Sequence, residues 1–135
     1  MLYMLDTNIC SYIMRQRPPT VLAMLESHEQ VGDEICISAI TYAELLLGAK
    51  RSQHPDKHLL LIEGLQQRLN YIQPWDTLAA EQFSDLQALL LNTGTPIGTN
   101  DTLIAAHALS LDAMMVTNNT KHFGKVPNLK LENWV

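Results

Sequence analysis

The chain opens on an apolar run, Leu2-Tyr3-Met4-Leu5, that stops at Asp6-Thr7-Asn8, residues that start turns and helices. Such a run reads as a buried strand feeding a helix, here Ile9–Met14, which ends before Pro18-Pro19. Thr20 is placed to cap a second helix running to about His28, with Val21, Met24 and Leu25 at i, i+3 and i+4 on its apolar face. Glu34–Ser38 is a second strand. Ala39–Arg51 carries Ile40, Ala43 and Leu47 on one helical face, and Ser52–Pro55 breaks it. A helix over Asp56–Leu69, a short strand over Asn70–Gln73 and a turn with Asp76 as N-cap come next. Leu78–Leu91 is a long helix ended by Asn92-Thr93-Gly94, and the loop Thr95–Asp101 leads into a helix over Thr102–Leu111. Ala113–Thr117 is the last clear strand, with Lys130–Trp134 as an edge strand. Strands of about four residues alternating with longer helices predict an α/β fold in three layers, built on βαβ units around a parallel sheet.

The length of 135 residues fits one domain spanning the whole chain, 1–135, and 47% hydrophobic with 17% charged residues is a globular composition. The longest apolar run, Met1–Leu5, lacks a basic flank and is far short of the ~18 residues of a membrane span. Cys10 and Cys36 both lie in apolar segments and read as reduced core thiols, which suits the cytoplasm. The net charge of −5 argues against a protein that holds nucleic acid by bulk electrostatics. The basic residues nevertheless fall in groups, Arg15 with Arg17, Lys50 with Arg51 and Lys121 with Lys125, so a local basic rim remains open.

In an open parallel sheet, ligands bind beyond the carboxyl ends of the strands. Asp6 follows the first strand, Ser38, Thr41 and Glu44 follow the second, and Asn118-Asn119 follows the strand ending at Thr117. Asp101 opens the helix that runs into that strand. Three carboxylates converging there need a cation, and an oxygen-only donor set favours Mg²⁺ or Mn²⁺ over Zn²⁺. Each residue alone has a plainer role: Asp6 as a helix cap, Glu44 as the end of a Thr41-x-x-Glu44 capping box, and Asp101 as an acid favourable in a first helical turn. Only their joint placement points to metal-assisted phosphoryl transfer. His54 and His58 read as surface residues because Pro55 lies between them and no third ligand is near. His107 sits six residues after Asp101, about 240° around the helix, and reads as packed against a neighbour. Trp75 and Trp134 flank turns and read as core anchors. There is neither a Gly-x-Ser-x-Gly elbow nor a phosphate-cradling glycine loop.

The segments Met4-Leu5-Asp6-Thr7-Asn8, Ser38-x-x-Thr41-x-x-Glu44-Leu45, Pro96-Ile97-Gly98-x-x-Asp101-x-x-Ile104-Ala105-Ala106-His107-Ala108 and Val116-Thr117-x-Asn119-x-x-x-Phe123 together resemble a PIN-domain ribonuclease. Within that family they look like VapC toxins of bacterial type II toxin–antitoxin systems, and the resemblance covers the whole chain. It implies a three-layer α/β/α PIN-like fold and a Mg²⁺-dependent endoribonuclease, with Asp6 and Asp101 as principal metal ligands and Glu44 in support. It also implies a homodimer, inhibited by a VapB-type antitoxin whose C-terminal segment fills the active-site groove. Initiator tRNA, cut in the anticodon stem-loop, is the implied substrate, so translation would stop. Arg15, Arg17, Lys50 and Arg51 then either line a groove beside the carboxylates, doubled by dimerisation, or form a scattered, solvated set of charges. Many members carry a fourth acid where this chain has His122. Because Mg²⁺ prefers oxygen, His122 is not expected to be a direct ligand, and Asn119 is the better candidate to complete the site. Two other readings are an inactive PIN domain and a receiver-like binding module. The receiver type would want paired acids after the first strand and a lysine after the last; Asp-x-Asp phosphatases are likewise broken at Asn8.

Overall fold

Strands of three to five residues carry a sheet only if neighbours bury both of their faces, and here they do. The computed structural model describes residues Met1–Val135. It contains β1 (Leu2–Leu5), α1 (Thr7–Arg15), α2 (Pro19–Gln30), β2 (Glu34–Ser38), α3 (Ala39–Lys50), α4 (Pro55–Gln66), β3 (Tyr71–Gln73), α5 (Thr77–Asn92), α6 (Thr99–Leu111), β4 (Met114–Val116), α7 (Thr120–Phe123) and β5 (Lys130–Glu132). The strands form one parallel sheet in the order β3-β2-β1-β4-β5, with Met4 in register with Cys36 on one side and Met115 on the other. Sequence order runs outward in both directions from β1, so the sheet has its topological switch point between β1 and β4.

Two hydrophobic cores cover the sheet, one on each face. Tyr3, Leu5, Ile35, Ile37 and Val116 point toward α1, α2 and α4, while Met4, Cys36 and Met115 point toward α5, α6 and α7. The pleat of β2 turns Cys36 into one core while Cys10, on α1, lies in the other, and both are free buried thiols. Burial pushes the Cys36 thiol up to about 12, so it is inert at neutral pH. Trp134 is buried and stacked on His28 at 5.1 Å between centroids, and its indole N–H donates to Glu132 at 2.8 Å. Trp75 is only half-buried, its indole N–H donating to the Leu103 carbonyl at 3.0 Å.

Several local expectations need correction. Pro18, in extended conformation, precedes the first turn of α2, and Thr20 lies inside the helix rather than capping it. In α3 the buried face is Thr41, Leu45 and Ala49, while Leu47 is 57% exposed. That helix is apolar on nearly every side, so its sequence had no single stripe from which to read the inward face. Ser38, not Thr41, caps α3, its hydroxyl accepting from the Ile40 amide at 3.1 Å. The capping-box reading of Thr41 and Glu44 therefore fails, because Glu44 sits beyond the first turn. Helix α6 begins at Thr99, and the short α7 was not foreseen because four residues carry no period.

Candidate active site

The carboxyl end of β1 places Asp6 at the switch point, 5% exposed. Its Oδ1 accepts from the Ile9 amide at 2.9 Å, so the capping role is real. Its Oδ2 accepts from the Thr117 hydroxyl at 2.5 Å, at the end of β4. Thr117 in turn accepts from the Asn119 amide at 2.9 Å. Burial raises the Asp6 pKa; the bonds from Thr117 and Ile9 oppose that rise, and the charge of Asp101 adds to it. Asp6 is thus a fixed carboxylate held at an energetic disadvantage by its surroundings, which a nearby cation would reverse.

Glu44 comes from α3 and is oriented from both sides. Thr7 donates its hydroxyl to Oε1 at 2.8 Å, and Asn100 donates its amide to Oε2 at 3.3 Å. Asp101 stands in the first turn of α6, with Oδ2 3.6 Å from Nδ1 of His122. Asp6, Glu44, Asp101 and Asn119 line one pocket of about 160 Å³ together with Thr7, Asn8 and Phe123. The fold therefore brings together the three acids and the asparagine singled out in the sequence.

His122 is half-buried; its Nδ1 has no hydrogen-bond partner, and its backbone amide donates to the Asn119 side-chain oxygen at 3.4 Å. Asn119 thus caps α7 as well as facing the pocket.

A buried link behind the pocket ties two of its walls. His107 of α6 is 1% exposed, and its Nδ1 meets the Ser38 hydroxyl at 2.8 Å. Burial lowers its imidazole pKa, with the charge of Asp76 and the Pro74 backbone opposing that fall. The Ser38 oxygen already accepts from the Ile40 amide, so its proton is free to donate to Nδ1 of His107. Ser38 caps the helix of Glu44, and His107 lies on the helix of Asp101. The expectation that His107 is a packing residue holds in this form.

The basic residues divide. Arg51 lines a cleft shared with Glu44 and Asn100, and Lys50 is exposed beside it. Arg15 and Arg17 lie at the far end of α1, roughly 13 Å along the helix from Asp6, and line neither this cleft nor the carboxylate pocket. The expected groove of four basic residues beside the acids is corrected to Arg51, with Lys50 adjacent. Thr7, Asn100 and Thr117, which hold the acids, were not marked as site residues. Thr7 was visible beside Asp6, but nothing in the sequence tied the three to their partners.

Comparison with known proteins follows the same lines. The PIN domain family model matches residues 3–129. The chain is 37% identical over 132 residues to the tRNA(fMet)-specific endonuclease VapC of Shigella flexneri, covering 98% of this chain and 97% of that protein. It is 40% identical over 133 residues to ribonuclease VapC2 of Haemophilus influenzae, covering 98% of each. Among solved structures, VapBC2 from Rickettsia felis bound to a DNA fragment from its promoter superposes with a TM-score of 0.94 at 37% identity, covering 100% of both chains. DNA-bound VapBC from Salmonella typhimurium gives 0.91 at 36% identity, again over 100% of both chains.

Proposed function

Because the chain belongs to the PIN-domain family, and within it to the VapC ribonucleases of VapBC toxin–antitoxin systems, we propose that it is a metal-dependent endoribonuclease that cuts initiator tRNA in the anticodon stem-loop and so stops translation. A VapB-type antitoxin neutralises it by entering the active-site groove, and the toxin acts as a homodimer in the cytoplasm. No helix is long and apolar enough to cross a membrane. The observation that carries the reading is the meeting of Asp6, Glu44 and Asp101 in one pocket at the switch point of the sheet.

The donor set suits a hard divalent cation, Mg²⁺ or Mn²⁺: carboxylate oxygens converge without a thiol, and the charge of Asp101 already disfavours ionised Asp6. Asp6 and Asp101 would hold it, with Glu44 in support and Asn119 supplying an amide oxygen. No group of three acidic, histidine or cysteine side chains stands within metal-holding distance in the structure. When bound, the metal supplies an activated water and neutralises charge developing on the scissile phosphate. The protein's share is positional. Ile9 and Thr117 fix the Asp6 carboxylate, Thr7 and Asn100 aim that of Glu44, and the Ser38–His107 link sets the two helices that carry Glu44 and Asp101. Arg51 meets an RNA phosphate at the rim, which lets an acidic protein hold a polyanion locally.

The test is incubation of the purified full chain, free of antitoxin, with initiator and elongator tRNAs. One discrete cut in initiator tRNA, abolished by EDTA and restored by Mg²⁺ or Mn²⁺, is expected. Intact tRNA with either metal, or a cut indifferent to EDTA and to Asp101→Asn, overturns the proposal.

A further inference from the structure

A cleft of about 330 Å³ lies between α1, α3 and α4, and it shares Thr7 and Glu44 with the carboxylate pocket. We infer that this cleft seats a nucleobase of the RNA next to the scissile phosphate, with the imidazole of His58 as its stacking partner. The inference rests on the ribonuclease reading and adds a specificity-determining subsite to it.

Four features support it. First, the cleft has the mixed lining a base requires: aliphatic walls from Met14 and Ile62, hydroxyls from Thr7 and Ser11, and exposed His58 on α4. Second, both hydroxyl protons are already committed, Thr7 to Glu44 at 2.8 Å and Ser11 to the Thr7 carbonyl at 3.3 Å. Their oxygens offer lone pairs only, which suit a base edge bearing an amino group. Third, Gly48 borders the cleft in the last turn of α3, with no positive φ there that would call for glycine. A Cβ there would meet nothing within 4 Å, so no packing within the chain calls for glycine. Fourth, Glu44 and Gly48 also border the cleft that holds Arg51 and Asn100, on the other side of the carboxylate. A strand crossing Glu44 thus finds an apolar, aromatic seat on one side and a cation on the other. Sequence-selective RNA recognition works on splayed single-stranded bases stacked on rings that include histidine.

The experiment uses the full chain and an anticodon stem-loop RNA carrying the cleavage site, under single-turnover conditions with Mg²⁺, with His58→Ala, His58→Phe and His58→Lys. His58 is exposed, so all three variants should keep the wild-type melting temperature. Loss of one base–ring stack lowers kcat/KM by about tenfold in the alanine variant. Phenylalanine restores it and lysine does not. Gly48→Leu, whose Cβ meets no neighbouring atom and whose side chain would occupy the cleft, should lower it as well. In parallel, metal-free protein is titrated with a single-stranded pentanucleotide spanning the cut, and the His58 ring protons are followed by NMR; an upfield shift is expected. An alanine variant as fast as wild type, or rescue by lysine and not by phenylalanine, overturns the base seat while leaving the ribonuclease reading intact. Wild-type protein that cuts no RNA overturns the ribonuclease reading, and the ring-proton titration then decides the seat, an unmoved His58 signal refuting it.

Discussion

Thr117→Val isolates the bond that holds the central carboxylate. The two side chains have nearly the same shape and Thr117 is fully buried, so the change opens no cavity. It removes a hydroxyl that donates to Asp6 at 2.5 Å and accepts from the Asn119 amide at 2.9 Å. A bond to a charged group is worth ~1.5–3 kcal/mol and one between neutral groups ~0.5–1.5 kcal/mol, so the variant should lose about 2–4 kcal/mol where Asp6 is ionised. In a chain of this size that is a fall in Tm of roughly 8–16 °C. The loss also depends on pH, with a definite sign. Burial raises the folded pKa of Asp6 above its unfolded value, so ionising it costs stability progressively as pH climbs from the unfolded value through the folded one. Thr117 opposes that rise, and without it the folded pKa climbs further. The deficit of the variant is therefore small in acid, where Asp6 is protonated in both proteins, and full in mild alkali. Urea unfolding of metal-free protein at pH 4 and pH 8, followed by circular dichroism, reads both quantities. A deficit under ~0.5 kcal/mol at pH 8, or an equal deficit at both pH values, would refute the charge-assisted bond.

Asp6→Asn keeps the cap to Ile9 and removes the buried charge, so metal-free stability should fall less between pH 4 and pH 8 than in wild type, while RNA cleavage is lost; parallel melts and a cleavage assay check this. Glu44→Gln should fold normally and lose at least the ~10–100-fold that outer-shell changes cost at metal sites, whereas a purely structural Glu44 would leave cleavage unchanged. Arg51→Ala should lower the salt slope of RNA affinity by about one, and Arg15→Ala should leave it alone, measured by filter binding across a salt series. Ser38→Ala removes a helix cap and strands the Nδ1 of buried His107, a loss of about 2–4 kcal/mol by urea unfolding.

The boundaries of β1 and β2 were legible because each apolar run ends sharply, at Asp6 and at Ser38. The three acids and Asn119 were legible as residues that follow strands or open the helix feeding one, since the parallel topology brings those positions to one edge. What the sequence hid is the set of groups that hold them. Thr7 lies 37 residues from Glu44, Asn100 lies 56 from it, and Thr117 lies 111 from Asp6, so no local pattern pairs them. The Thr41–Glu44 spacing misled because Ser38 had already taken the cap. The basic residues misled because helical direction decides their place: Arg15 and Arg17 follow α1 away from the carboxylates. Arg51 stays beside Glu44 along α3.

The position of β1 between β2 and β4 also sets when the molecule becomes dangerous. β1 is the central strand and is made well before β4, and its Asp6 is clamped by Thr117, made 111 residues later. Until β4 is synthesised, β1 has one open edge and its carboxylate lacks a donor. A nascent or prematurely terminated chain therefore carries Asp6 and Glu44 without the parts that make them a site. Fragments ending before β4 should therefore lack ribonuclease activity when expressed alone.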